Sequence, residues 1–169
     1  MALPTQPVVA RDGTITVEDN TGTPIVATAI YENGDFSIEG LTQAGIEVQE
    51  FRDRGQVYGL RETDDKILDF SFSFDVTDLT DTAAHVIDAF RKTGAFASGV
   101  STWGANVSDP WTVKVKLTLE RTDAGGSADR TVTLQYCRAE MAIAEGNPMR
   151  CTVKGRAFPK GATQAAVIA

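Results

Sequence analysis

The chain has 169 residues, 42% hydrophobic and 23% charged, with a net charge of −7. That length fits one domain with a buried core. The acidic balance disfavours a tight nucleic-acid binder, which needs clustered Lys and Arg to displace counterions, and no apolar run approaches the roughly 20 residues of a membrane-spanning helix.

Residues 1–10 read as an extended N-terminal arm, because Pro4 and Pro7 disfavour helix. The arm lacks the basic and apolar stretches of a secretory leader, so the chain is expected to be made and kept in the cytoplasm. Thr14–Glu18 reads as a short strand, and Asp19–Pro24 as a turn cluster. Ile25–Tyr31 and Asp35–Glu39 are expected to pair as a hairpin through Asn33-Gly34.

Residues 45–62 differ in character. Ile46–Phe51 and Gln56–Arg61 form a projecting hairpin connected by Arg52-Asp53-Arg54-Gly55, densely charged and thinly apolar. A two-stranded hairpin is marginal alone in water, so either the segment is a mobile loop or a partner surface orders it.

Leu68–Val76 alternates strictly. Leu68, Phe70, Phe72, Phe74 and Val76 share one face, and Asp69, Ser71, Ser73 and Asp75 share the other. The first face is built for a core, the second for water or a wet surface. A helix follows over 80–92, capped by Thr80 or Asp78, with Ala83, Val86, Ile87 and Phe90 as its apolar stripe and Gly94 just past its end. Gly94–Pro110 reads as an irregular link. Trp111–Arg121 is a second alternating strand, with Trp111, Val113, Val115, Leu117 and Leu119 inward. Arg130–Cys137 returns with Val132, Leu134 and Tyr136 inward, Arg138–Ala144 continues, and Met149–Ala157 closes the sheet. Residues 159–169 form a C-terminal tail ending in an apolar stub suited to docking on a neighbour. The fold class is mainly β with one α-helix: a β-sandwich or partly open barrel of antiparallel strands, flanked by the helix, with a long projecting hairpin.

Catalytic patterns are missing. His85 is the sole histidine and reads as a partly exposed structural residue within the helix. There is no Gly-x-Ser-x-Gly elbow, phosphate loop or dinucleotide fingerprint. Cys137 and Cys151 have no metal or redox spacing and read as reduced, half-buried thiols. Lys114 and Lys116, set against Asp69, Asp75 and Glu120, read as a mixed-charge polar face. No enzyme activity, cofactor or metal is expected.

In this order of elements the chain resembles, over roughly residues 8–158, the tail tube (major tail) protein of long-tailed bacteriophages. Gene transfer agent and type VI secretion tube proteins share that fold. The resemblance implies a structural virion protein that self-assembles into stacked hexameric rings. Their inner sheets join into a continuous barrel, the conduit for genome delivery. It implies a virion-tail location and partners among other tail proteins: the tape measure, the terminator and the distal tail protein. DNA would pass through without tight binding, and no membrane would be involved. Under this reading Gln49, Glu50, Phe51, Arg52, Arg54 and Tyr58 are inter-ring contact residues, and the hairpin and C-terminal stub reach the next ring. Asp69, Ser71, Ser73 and Asp75 are lumen candidates, with a solvated exterior as the alternative. Rival readings are a tail terminator or baseplate component of the same fold, a monomeric β-domain whose Phe70, Phe72, Phe74 and Trp111 line a ligand pocket, and a hydrolase dependent on His85 or a carboxylate pair.

Overall fold

In the structure, a computed structural model, the described residues are 13–29, 35–41, 45–76, 83–104, 106, 108–119, 130–161 and 163–169. In chain order they form β1 (Thr14–Glu18), β2 (Val26–Ala29), β3 (Ser37–Glu39), β4 (Ile46–Asp53), β5 (Gln56–Asp65), β6 (Leu68–Asp75), α1 (Val86–Arg91), β7 (Val113–Leu119), β8 (Arg130–Ala144), β9 (Arg150–Ala157) and β10 (Ala166–Ile168). A 3-10 segment, Gly94–Ser98, follows α1. The protein is mainly β, antiparallel, with one α-helix.

Eight strands make one sheet in the order β2-β1-β7-β8-β9-β6-β3, with β10 on β8. The sheet is not closed into a barrel. Strand β8 is its spine and serves two wings. Its first half pairs with β7 on one side and β10 on the other. Its second half, from Cys137 to Ala144, pairs with β9. Between the halves Val115 faces Leu134 and Val113 faces Cys137, so β8 carries one extra residue. Tyr136 takes the left-handed backbone at φ 48° at this bulge. The bulge reverses the side-chain alternation, so Cys137 rather than Tyr136 is buried after Leu134.

One core serves both wings. Ile15, Val17, Val113, Val115 and Leu134 come from the first, and Leu68, Phe70, Phe72, Phe74 and Val153 from the second. The rings of Phe70, Phe72 and Phe74 pack side by side at centroid distances of 6.1–6.3 Å, which consumes them as core rather than as a pocket wall. Gly155 sits opposite Phe70. A Cβ there would come within 2.7 Å of the Phe70 ring and 2.5 Å of the Arg138 carbonyl, so glycine lets the ring lie flat on the sheet.

Four expectations are corrected. Strand β2 pairs with β1, and β3 crosses to the other wing and pairs with β6, so the 25–39 hairpin does not form; Asn33-Gly34 lies outside the described residues. The helix is shorter: Ala83, Ala84 and His85 are not helical, and His85 is the extended N-cap residue at φ −107°. Val86 and Ala89 are its buried residues, and Lys92 takes the left-handed turn that ends it. Positions 78 and 80 lie outside the described residues. Both cysteines are fully buried rather than half-buried. The C-terminal stub docks at home: Ala166–Ile168 pairs with Val132–Leu134, and Ala165 is buried. The arm at 1–10 lies outside the described residues.

The loop after the helix is built around Asp19. Its carboxylate accepts from the Ile25 amide at 2.8 Å, the Thr21 hydroxyl at 2.9 Å and the Val100 amide at 3.1 Å. Trp111 Nε1 donates to the Ala89 carbonyl at 2.8 Å. These two contacts fasten the helix and the loop behind it to the first wing.

Candidate assembly surfaces

Three surfaces remain after the core is accounted for. The first is the projecting hairpin. Strands β4 and β5 form a separate two-stranded sheet. It turns tightly at Arg54 and Gly55, both at positive φ, as a two-residue hairpin turn requires. Gln49 faces Arg61, Glu50 faces Leu60, Phe51 faces Gly59 and Arg52 faces Val57. The shift between the last two pairs leaves Tyr58 without a direct partner, and its ring lies 6.3 Å from that of Phe51. Arg52 and Glu50 form an ion pair at 2.6 Å, and exposure leaves such a pair little net energy. Tyr58 and Leu60 are 71% and 68% exposed, beside exposed Val48, Val57 and Phe51. Charged and apolar residues are interspersed on a strand pair that leaves both largely exposed.

The second surface is the polar face of the second wing. Asp69, Ser71, Ser73 and Asp75 stand on it together, and the register continues it across the neighbouring strands. Glu39, Asp69, Arg156 and Arg138 form one row from β3 to β8. Ser37, Ser71, Lys154 and Glu140 form the next. Asp69 and Arg156 meet at 3.1 Å. Farther along, Arg150 pairs with Asp35, whose carboxylate also accepts from Ser73 at 2.9 Å. The two rows floor an open groove that Phe158 borders. Acidic groups concentrate on β3 and β6, and basic groups on β9 and the start of the second half of β8.

The third surface comprises the sheet edges. Strand β3 pairs only with β6, and β8 from Arg138 to Ala144 pairs only with β9, among the described residues. Each leaves a row of backbone donors and acceptors open. The open edge of β8 continues the side that β7 occupies in its first half; the other side of that first half, in line with β9, is covered by β10, with Thr131 and Ala169 exchanging both backbone hydrogen bonds. Lys160 fastens this strap. It donates to the Trp103 carbonyl and lies over the Trp103 and Tyr136 rings at 5.2 and 5.8 Å.

The remaining expected polar residues fall elsewhere. Lys116 reaches Glu18 at 2.8 Å and Lys114 faces Glu18 across the strands, both on the first wing, away from Asp69 and Asp75. Glu120 lies outside the described residues. Burial pushes the thiols of Cys137 and Cys151 up, partly offset at Cys137 by a backbone hydrogen bond from Val115. No group of three or more His, Cys, Asp or Glu placed to hold a metal occurs among the described residues. No helix there is long and apolar enough to cross a membrane. Sequence reasoning missed Asp19, the β8 bulge and the basic half of the polar face; a buried turn Asp and a bulge carry no distinctive sequence mark.

The chain matches no family model and no curated protein. Among solved structures it is similar to the sheath/tube terminator of PVC, an extracellular contractile injection system, in the extended state. The identity is 12%, 99% of each chain is covered, and the TM-score is 0.55. It is similar at 11% identity to the tube-terminating cap of the anti-feeding prophage AFP, covering 100% of this chain and 94% of that one with a TM-score of 0.53. A chain of the PVC sheath-tube complex is similar at 10% identity, with 98% and 93% covered and a TM-score of 0.52. The chain therefore has, end to end, a fold found in the tube-associated proteins of phage-tail-like injection systems.

Proposed function

We propose that this protein is a non-enzymatic structural subunit of a phage-tail-like particle, forming a ring that terminates the tube. The observation that carries the reading is the end-to-end fold match to two tube-terminating proteins. It moves the emphasis from a tube-building subunit to a tube terminator. The ring is hexameric by analogy, it sits on the tube of a virion or related particle, and its partners are the tube and neighbouring tail proteins. The polar face, with Asp69, Ser71, Ser73 and Asp75, lines the lumen. Its mixed charges let a polyanion pass without holding it, since continuous basic walls would bind phosphates. The hairpin, through Gln49, Glu50, Phe51, Arg52, Arg54 and Tyr58, contacts the adjacent ring.

A tube-building role is the second reading, kept by the match to the sheath-tube complex. Negative-stain microscopy separates the two. A terminator gives single rings, or caps on the ends of a supplied tube. A tube subunit gives stacked polymers. A protein that stays monomeric at high concentration, and binds no tube end, refutes both.

A further inference from the structure

We infer, resting on the ring reading above, that Glu39 and Arg138 form the ion pair that sets the register between neighbouring copies in the ring. Both lie at open edges of the second wing, Glu39 on β3 and Arg138 on β8. Both are exposed, and neither has an ion pair among the described residues. They stand in the same row, separated by Asp69 and Arg156.

The wing between these edges has four antiparallel strands, β3, β6, β9 and β8. An even number means that its two edge strands run in opposite directions. A copy related by rotation about the ring axis therefore presents its β8 edge antiparallel to β3, the arrangement that continues the sheet. The contact is heterologous and closes into a ring.

Side-chain chemistry then selects the register. Placing Glu39 opposite Arg138 of the next copy also puts Ile38 opposite Ala139 on the core side and Ser37 opposite Glu140 on the polar side. A slip of one residue turns the polar face of β3 toward the core side of its neighbour. A slip of two in one direction sets Glu39 against Glu140, a like-charge pair. A slip of two in the other direction sets Glu39 against Tyr136, where the left-handed backbone at φ 48° breaks the strand. One register satisfies faces, charges and backbone together. It also extends the row Glu39-Asp69-Arg156-Arg138 around the ring, so that each copy's basic end meets the next copy's acidic end.

The test is a charge exchange read by sedimentation velocity and negative-stain microscopy. Glu39→Arg and Arg138→Glu each place like charges at the junction and should weaken ring association about tenfold or more. The double variant restores opposite charges and should recover rings. Disulfide trapping gives a second measurement. Ser37→Cys mixed with Glu140→Cys should cross-link between copies, while neither variant alone should, and buried Cys137 and Cys151 keep the background low. Single reversals that assemble like the unmodified protein, or a mixture that cross-links no faster than its components, overturn this register and leave the ring reading standing. An unmodified protein that forms no ring, alone or on a tube, overturns both.

Discussion

The carboxylate of Asp19 accepts the backbone amide of Val100, 81 residues away, at 3.1 Å. The same side chain caps the β1–β2 turn through Thr21 and Ile25, and it is 1% exposed. One buried carboxylate therefore joins the first hairpin of the chain to the loop behind its helix. Removing it strands the Ile25 and Val100 amides, each at the cost of an unsatisfied buried donor. Asp19→Ala should lower stability by about 3 kcal/mol in urea titrations, and Asp19→Asn by roughly half as much. Equal losses for the two would show that packing, not the hydrogen bonds, holds the loop.

The C-terminal strap gives a different outcome. Truncation after Gly161 removes buried Ala165, the β10 pairing and the backbone bonds to Thr131 and Gln135. The expected cost is at least about 3 kcal/mol, since each of these backbone bonds contributes about 1 kcal/mol net. The truncation also opens the Thr131–Gln135 edge, so light scattering should report new self-association. Lys160→Ala should weaken the strap by about 0.5–1 kcal/mol, the scale of an exposed cation–π contact. A truncated chain as stable and as monodisperse as the full one would mean that β10 contributes nothing to covering that edge.

Legibility in the sequence followed the range of the interaction. The Leu68–Phe74 alternation was readable because a half-buried strand writes its faces at period 2, and all four apolar residues are buried as expected. The Asn33-Gly34 signal was misleading because it is local, while β2 and β3 find partners on opposite wings. Tyr136 looked like an inward residue because nothing in Leu134-Gln135-Tyr136-Cys137 announces an extra residue in the ladder. The acidic half of the polar face lay open in one strand. Its basic half appeared only when β9 and β8 came alongside, through pairs such as Asp69 with Arg156. The projecting hairpin was legible from its sparse apolar content, because a strand pair without a core to join must stand outside one.

The buried thiols set an alkaline limit. Burial raises both thiols above the ordinary value of 9.0. Above that pH the unfolded chain loses these protons while the folded chain keeps them, so stability is full below about pH 9 and falls as pH rises. The slope reaches at most about 1.4 kcal/mol per pH unit per thiol. Urea midpoints between pH 8 and 10 should decline, and Cys137→Ala should decline less steeply from its own lower starting point. An aromatic disulfide reagent should label neither thiol in the folded protein and both in denaturant. Rapid labelling of the native protein would contradict the burial of both sites.

The hairpin separates folding from assembly. Over residues 48–53 and 56–62 its ladder is closed on itself among the described residues, and Val48, Phe51, Val57, Tyr58 and Leu60 stay exposed. Deleting Gln49–Tyr58 leaves Gly59–Arg61 to connect Val48 to its cross-strand partner Glu62. Since no core contact is lost, unfolding free energy should change by less than about 0.5 kcal/mol, as for surface changes generally. Assembly should change far more. Val48, Leu60 and Tyr58 gain from burial only in contact with another surface, at roughly 25 cal/mol per Å². Truncated rings should still close, because the open edges of β3 and β8 are untouched, but they should no longer attach to a tube end. Microscopy of the truncated protein mixed with tubes reads both properties at once. Capped tubes would remove the hairpin from the ring-to-tube contact, and loss of single rings would place it within the ring instead.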